Sequence, residues 1–320
     1  MRAIDRITEG ERERALLERL RSGAVTAESI ERESLPFFSK IQIQTTTLCN
    51  AACTTCPYPE TSRQLPMGEM TAATFERILA QMQGRPVERV SLFLMNEPTV
   101  DRRLEHLTRL TRAAMPAAKV TIITNGKLLD GDRARALAAA GMGEITISVN
   151  GFDARAYGAT MQGLRFDRIL RNLEEVGAAW RNGELTGLDL RITALDLGDA
   201  ARLAPEFAAR IGIPVFVKPV TNRAGSVDTT ALGVACPTAA APRGICQRPF
   251  VKAYVLYNGD MVLCNCDWQR STIFGNVHDT TLEAMWRGAA LMAVRRDHLR
   301  GTFAATSPCA RCDYPYSIDA

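Results

Sequence analysis

The stretch Ile41-Gln-Ile-Gln-Thr-Thr-Thr-Leu-Cys49-Asn-Ala-Ala-Cys53-Thr-Thr-Cys56 runs from an extended, β-rich segment directly into three cysteines. Gaps of three and then two residues put the three sulfurs on one tight loop. They are close enough there to hold three corners of a cubic iron–sulfur cluster. A cube has four irons, so one is left without a protein ligand. An open iron can bind a small molecule, which turns an electron store into a reactive centre. The alternatives are a zinc knuckle or three buried thiols. Zinc normally takes four ligands, often as paired C-x2-C, and no fourth Cys or His lies nearby in the sequence.

Outward from this loop, short β-rich runs alternate with helical patterns from Lys40 to about Val220. The expected strands are Ile41–Thr45, Val90–Met95, Val120–Thr124, Ile145–Val149, Leu188–Thr193 and Val215–Val217. Several are almost wholly apolar, as parallel strands buried on both faces are. Between them Phe75, Ile78, Leu79 and Met82, and later Phe166, Ile169, Leu170, Leu173 and Val176, follow the stripe of a helix packed on a sheet. These stripes are core. Six strand–helix units argue for a parallel α/β sheet, open or curved into part of a barrel. In such folds ligands sit at the C-terminal ends of the strands.

The cysteine spacing is the signature of the radical S-adenosylmethionine (SAM) enzymes, and the chain resembles that family, whose members use a partial six-unit (β/α) barrel. The resemblance implies a SAM-binding [4Fe–4S] cluster on Cys49, Cys53 and Cys56. It further implies reductive cleavage of SAM to a 5′-deoxyadenosyl radical, and an external one-electron reductant such as flavodoxin or ferredoxin. Met95-Asn96-Glu97-Pro98-Thr99 looks like the family's Gly-Glu-Pro segment with Asn96 in place of glycine. That likeness assigns Glu97 a hydrogen bond to the SAM amino group, work suited to a carboxylate. Thr124-Asn125-Gly126 and Ser148-Val149-Asn150-Gly151 resemble strand ends that reach the ribose and methionine parts of SAM. Arg191 matches a position where a basic residue meets the SAM carboxylate. Each of these, taken alone, also reads as a turn residue at a strand end. Their order along the chain gives them weight. Where the family usually has an aromatic or bulky residue against adenine, this chain has Thr55, and Tyr58 is the candidate substitute ring.

The last part of the chain has a different character. Thr221–Gly244 is rich in Gly, Pro, Ala and Thr and reads as a linker or loop. Cys246 follows, then Gly259, Cys264 and the pair Cys309-Ala-Arg-Cys312. Tyr254–Leu263 is two β runs around Asn258-Gly259, a hairpin signal. A hairpin brings Cys246 and Cys264 to one end, where Cys309 and Cys312 can complete four thiols. The pattern, with Phe274-Gly-Asn-Val277 and Leu282-Glu-Ala-Met-Trp286, resembles the shortened SPASM, or twitch, domain carrying one auxiliary [4Fe–4S] cluster. A four-cysteine zinc site is the alternative. The expected organisation is a helical extension (1–39), the barrel (40–220), a linker (221–245) and the auxiliary-cluster domain (246–320).

Two of the nine cysteines remain. Cys236 reads as a spare thiol in the linker. Cys266, two residues after Cys264, reads either as an inert or substitute cluster thiol, or as a free thiol that gives a hydrogen atom to a substrate radical. His106, His278 and His298 show no ligand spacing and read as surface or capping residues.

Composition narrows the classes. The chain has 46% hydrophobic and 23% charged residues, ordinary for a globular protein. Its formal charge of +4 is spread without a basic run, so it carries no nucleic-acid footprint. No apolar run approaches a membrane span, and the Arg- and Glu-rich start has no signal-like core, so the expectation is a cytoplasmic protein without membrane contact. The start also carries an amphipathic pattern (Leu16, Leu17, Leu20) expected to pack on the barrel. It is too short for a peptide-recognition domain.

A carbon radical has several fates. A thiol on the opposite face inverts the centre; loss of an electron to an auxiliary cluster, with a proton, turns a carbinol into a ketone. Single-auxiliary-cluster relatives acting on sugars and aminocyclitols do both. The compact tail and Cys266 make a carbohydrate or aminocyclitol epimerase the leading expectation, with Cys266 as donor. A dehydrogenase of similar substrates comes next, then a peptide maturase. An iron–sulfur electron carrier is the non-enzymatic alternative, though it has no use for Glu97 or an open iron.

Overall fold

The computed structural model describes residues 9–234 and 244–314. Six strands, β1 (Lys40–Ile43), β2 (Arg89–Ser91), β3 (Lys119–Thr124), β4 (Glu144–Ser148), β5 (Asp189–Leu195) and β6 (Val215–Lys218), lie parallel in chain order. Helices Ala72–Met82, Leu104–Ala114, Gly131–Ala139, Phe166–Arg181 and Ala200–Ile211 make the crossovers between them. The first shows why the sequence folds this way. Thr71 accepts a hydrogen bond from Thr74 N–H to start the helix, and Phe75, Ile78, Leu79 and Met82 form its buried face. The mostly parallel α/β sheet expected from the sequence is present. After β6, however, no α-helix follows before the cysteine-rich tail among the described residues.

The tail is not an appendage. Strand β7 (Lys252–Val255) pairs parallel with β1, matching Ile41 to Ala253 and Ile43 to Val255. Strands β8 (Asp260–Val262) and β9 (Ile273–Asn276) then continue antiparallel, giving a nine-stranded sheet. The expected hairpin forms at Asn258-Gly259, with Gly259 at φ +92°. The sequence shows β1 as a β-rich segment but not which strand covers its free edge; β7 does so with three buried residues.

The supposed linker is partly packed. Asn222 N–H donates to the Asp313 carboxylate at 2.8 Å, Asn222 Nδ2 donates to Arg311 O at 2.8 Å, and Ala224 is buried among the tail's apolar residues. Cys236 lies outside the described residues. At the other end, helix Glu9–Arg21 buries Leu16, Leu17 and Leu20 with Ile30, Leu35, Phe250, Val251 and Met292, so it packs chiefly on the tail. It also meets the first strand: Glu13 takes hydrogen bonds from Ser39 and from Lys40, the latter at 2.5 Å.

The strands turn alternate residues to the inside of the curved sheet. One row there is Ser148, Thr193 and Phe216, paired across β4, β5 and β6. The next row inward holds Ile123, Thr146 and Arg191. Ile123 (38%) and Phe216 (50%) stay exposed, which leaves apolar wall available to a ligand. No described helix is long and apolar enough to cross a membrane.

Candidate active site and auxiliary cysteine cavity

Three strand ends grip the cysteine loop. From the end of β2, Glu97 N–H donates to Leu48 O at 3.0 Å. From the end of β3, Asn125 Nδ2 donates to Asn50 Oδ1 at 2.7 Å. From the end of β4, Asn150 Nδ2 approaches Met161 Sδ at 3.4 Å, and that sulfur lies 3.7 Å from Cys53 Sγ. The segment after β4 adds backbone bonds from Ala52 N–H to Gln162 O (2.8 Å) and Thr54 N–H to Thr160 O (3.0 Å). Gly151 makes this possible. It sits at φ +134°, and a Cβ there would meet the backbone of Ala156 and Tyr157 at 2.4–2.8 Å. Tyr58 Oη accepts from Cys49 N–H at 2.9 Å, so the candidate adenine ring is also a brace of the loop.

The three thiols are only partly covered. Burial pushes Cys49 and Cys53 up to about 12, and Cys56 upward as well. For Cys49 and Cys53 the mutual repulsion of the cysteine thiolates adds to the effect. Such thiols give up their protons to a bound cation rather than to water.

Glu97 is 3% exposed and closes the site. Its Oε1 accepts from Thr99 N–H (3.0 Å), Thr99 Oγ1 (2.6 Å) and Thr124 Oγ1 (2.6 Å), and its Oε2 accepts from Asn125 N–H at 2.6 Å. Burial raises its pKa; these four donors oppose the shift. Oε2, with a single donor, keeps the freer lone pair. Met95, just before, holds a left-handed backbone (φ +54°), and Asn96 Oδ1 accepts from Leu94 N–H at 2.7 Å. Ser148 stands in the row with Thr193 and Phe216. Arg191 is one row deeper, 3.2 Å from Glu144, its guanidinium 5.9 Å from the Phe216 ring. Thus Glu97, Asn125 and Asn150 converge on the cysteine loop, Ser148 lies beside them at the end of β4, and Arg191 belongs to the barrel's inner charge network.

The tail gathers five cysteines, not four. Cys246, Cys264, Cys266, Cys309 and Cys312 line one cavity with Arg248, Pro249, Ala224 and His298, each thiol at most 9% exposed. Cys266 lines this cavity with the other four. It is 1% exposed, shares the cavity with the Cys264 and Cys312 thiols, and lies 3.1 Å from Arg248 Nη1. The two-residue step through a turn, rather than along a strand, swings its side chain back to the Cys264 side; Cys266 N–H itself meets Cys264 Sγ at 3.3 Å. Hydrogen bonding with Cys264 and Cys312, together with the charge of Arg248, favours its thiolate, while Cys264 and Cys312 are pushed up. Burial pushes Cys309 up to about 12.

His298 also departs from expectation. It is 4% exposed, its Nε2 3.5 Å from Cys309 Sγ and its ring beside Phe250 and Phe303, and burial pulls its pKa down to about 4. His278 bonds Thr74 Oγ1 at 3.0 Å, and His106 is exposed. Thr99, two residues from Glu97, was also missed, as were Thr124, Asn50 and Met161, whose roles depend on contacts distant in sequence. Arg248, two residues after Cys246, was legible only as one more arginine. Among the described residues no three His, Cys, Asp or Glu side chains converge as ligands of a single ion. Three free thiols on one loop and five in one cavity are the donor type that iron–sulfur clusters take. Apolar residues join the two sites: Met95, Tyr58 and Cys56 pack in the same cluster as Cys264 and Cys266. The charge of Arg223, a residue at φ +49°, lowers the pKa of both Cys56 and Cys266.

Residues 43–190 match the model of the radical SAM superfamily, and residues 246–313 match that of an iron–sulfur cluster-binding domain, SPASM. The chain belongs to the radical SAM superfamily and carries a C-terminal SPASM-type domain, so its cofactors are SAM and [4Fe–4S] clusters, the second of them in the tail. It is similar to an S-adenosyl-L-methionine-dependent 2-deoxy-scyllo-inosamine dehydrogenase of Niallia circulans, 20% identical over 86% of this chain and 93% of the relative. Among solved structures, BtrN in complex with AdoMet and 2-DOIA superposes with TM-score 0.62 at 20% identity, covering 86% of this chain and 93% of that one. SuiB of Streptococcus suis bound to the precursor peptide SuiA superposes with TM-score 0.66 at 18% identity, covering 92% and 74%. These two likenesses show the fold.

Proposed function

We propose that this radical SAM enzyme is a dehydrogenase that oxidises a secondary alcohol of a small aminocyclitol or related sugar. The observation that carries the reading is the end-to-end match to a 2-deoxy-scyllo-inosamine dehydrogenase, 93% of whose length is covered. The position of Cys266 supports it over epimerisation. An epimerase needs a thiol aimed at the substrate, and this one is enclosed by Cys264, Cys312 and Arg248.

When bound, SAM on the open iron supplies the 5′-deoxyadenosyl radical that takes the carbinol hydrogen, and the second cluster supplies an acceptor for the electron left behind. Loss of that hydrogen atom, the hydroxyl proton and one electron leaves a ketone. Cys49, Cys53 and Cys56 would hold the first cluster, and Cys246, Cys264, Cys309 and Cys312 the second. Glu97 would take an N–H of the SAM amino group on Oε2, the carboxylate oxygen with a single donor. Ser148, Asn125 and Asn150 border the ribose and methionine parts, and Ile123 and Phe216 supply apolar wall. Arg191, held by Glu144, sets the floor of the chamber. The first electron comes from a carrier such as flavodoxin or ferredoxin. The test is to incubate reduced protein with SAM and a panel of aminocyclitols and sugars. The reading requires 5′-deoxyadenosine and a ketone in equal amounts, and fails if SAM is consumed with no carbonyl product from any of them.

A further inference from the structure

Four of the five cavity thiols match the tail's spacing pattern, and the cavity also holds a cation that the ligand set does not need. Arg248 lines it, its Nη1 3.1 Å from Cys266 Sγ. The guanidinium stacks on Tyr314, 3.6 Å from the ring centroid, which fixes the plane of its donors. No carboxylate pairs with Arg248 among the described residues, whereas Lys40, Arg89, Lys119 and Arg191 each pair with one. A guanidinium keeps its charge under all working conditions. Its charge is therefore matched by no carboxylate and is directed at the sulfurs, that of Cys266 first.

We infer that Arg248 is a positioning residue that sets the reduction potential of the auxiliary cluster. Adding an electron to a cluster adds negative charge, and a fixed cation with N–H donors close to its sulfurs favours the reduced form. Cys266 is part of the device: it anchors Nη1 inside the cavity without being required as a corner. An acceptor cluster tuned upward takes an electron from a strongly reducing carbon radical and holds it until an outside carrier removes it. The inference rests on the presence of the second cluster and not on the dehydrogenase reading, and its test contains no substrate.

The test uses the full chain carrying Cys49→Ala, Cys53→Ala and Cys56→Ala, so that only the auxiliary cluster is seen. Its midpoint is measured by anaerobic redox titration followed by electron paramagnetic resonance, with Arg248, Arg248→Gln or Arg248→Lys. At a given poise the Gln variant should show a reduced-to-oxidised ratio about tenfold lower, a downward shift of about 59 mV. The Lys variant, which keeps the charge but not the fork, should recover most of that loss. An unchanged midpoint in the Gln variant with iron intact overturns the inference. So does a Lys variant as low as Gln. Loss of iron in both variants also overturns it, since Arg248 would then be an assembly residue.

Discussion

The backbone N–H of Asn125 lies 2.6 Å from Oε2 of Glu97, tying the end of β3 to the end of β2 at the cysteine loop. The Asn125 side chain continues the chain of contacts to Asn50, next to Cys49. Glu97 is therefore both a brace of the loop and a buried carboxylate at the proposed SAM site. Glu97→Gln keeps the shape and removes the charge. Iron content should stay unchanged while the Kd for SAM rises about tenfold to a hundredfold, the weight of a charge-assisted hydrogen bond. Calorimetry under argon reads the change, and equal affinity in the two proteins would remove Glu97 from the SAM site.

Gly151 carries a stricter requirement. At φ +134° with backbone atoms closer than 3 Å to any added Cβ, Gly151→Ala has to displace helix Ala154–Thr160 and, with it, the Thr160–Gln162 bonds to the cysteine loop. The variant should assemble only the auxiliary cluster, holding about four irons per chain as one cubane. Iron analysis checks this. A full complement would show that the loop does not depend on the segment after β4.

The cysteine sets separate by metal content. Anaerobically reconstituted protein should hold about eight irons per chain as two cubanes. Removing Cys49, Cys53 and Cys56 should leave about four and abolish SAM cleavage. Cys266→Ala should keep both clusters and most of the turnover on the proposal that the thiol is neither a required corner nor a donor. Loss of the auxiliary cluster would make Cys266 a ligand. Loss of product with continued 5′-deoxyadenosine formation would restore its role as hydrogen donor.

Lys252, at the base of the barrel, makes a pH prediction. Burial, reinforced by Arg248, Lys40 and Arg89 and opposed by Glu13, lowers its pKa from 10.5 to about 7. Between those values the unfolded chain binds the extra proton, so stability rises with pH across the window and is lost as pH falls through 7. The melting temperature of cluster-loaded wild-type protein should climb relative to Lys252→Met between pH 7 and pH 9. A constant difference would mean that Lys252 stays charged in the fold.

Much of this was legible in the chain. Periodicity gave the six parallel strands and the helix faces, because burial on both sides of a strand and one side of a helix leaves a local pattern. The loop cysteines and Glu97 were legible because their chemistry demands a fixed spacing after a strand. What escaped depends on contacts distant in sequence. The pairing of β7 with β1 joins residues about 210 apart, and no local signal encodes it. The direction of the Cys266 side chain depends on a turn whose course is set by Cys264 and Arg248. The depth of Arg191 follows from strand register, which places it opposite Thr146, not Ser148.

The most direct measurement follows the hydrogens of the product. Reduced enzyme is run with SAM and an accepted aminocyclitol in deuterated water, and the product is weighed and mapped. The account expects a product two hydrogens lighter than the substrate, with a new carbonyl and no deuterium fixed at carbon by the enzyme. A product of unchanged composition, inverted at one carbon and carrying one deuterium there, would contradict it.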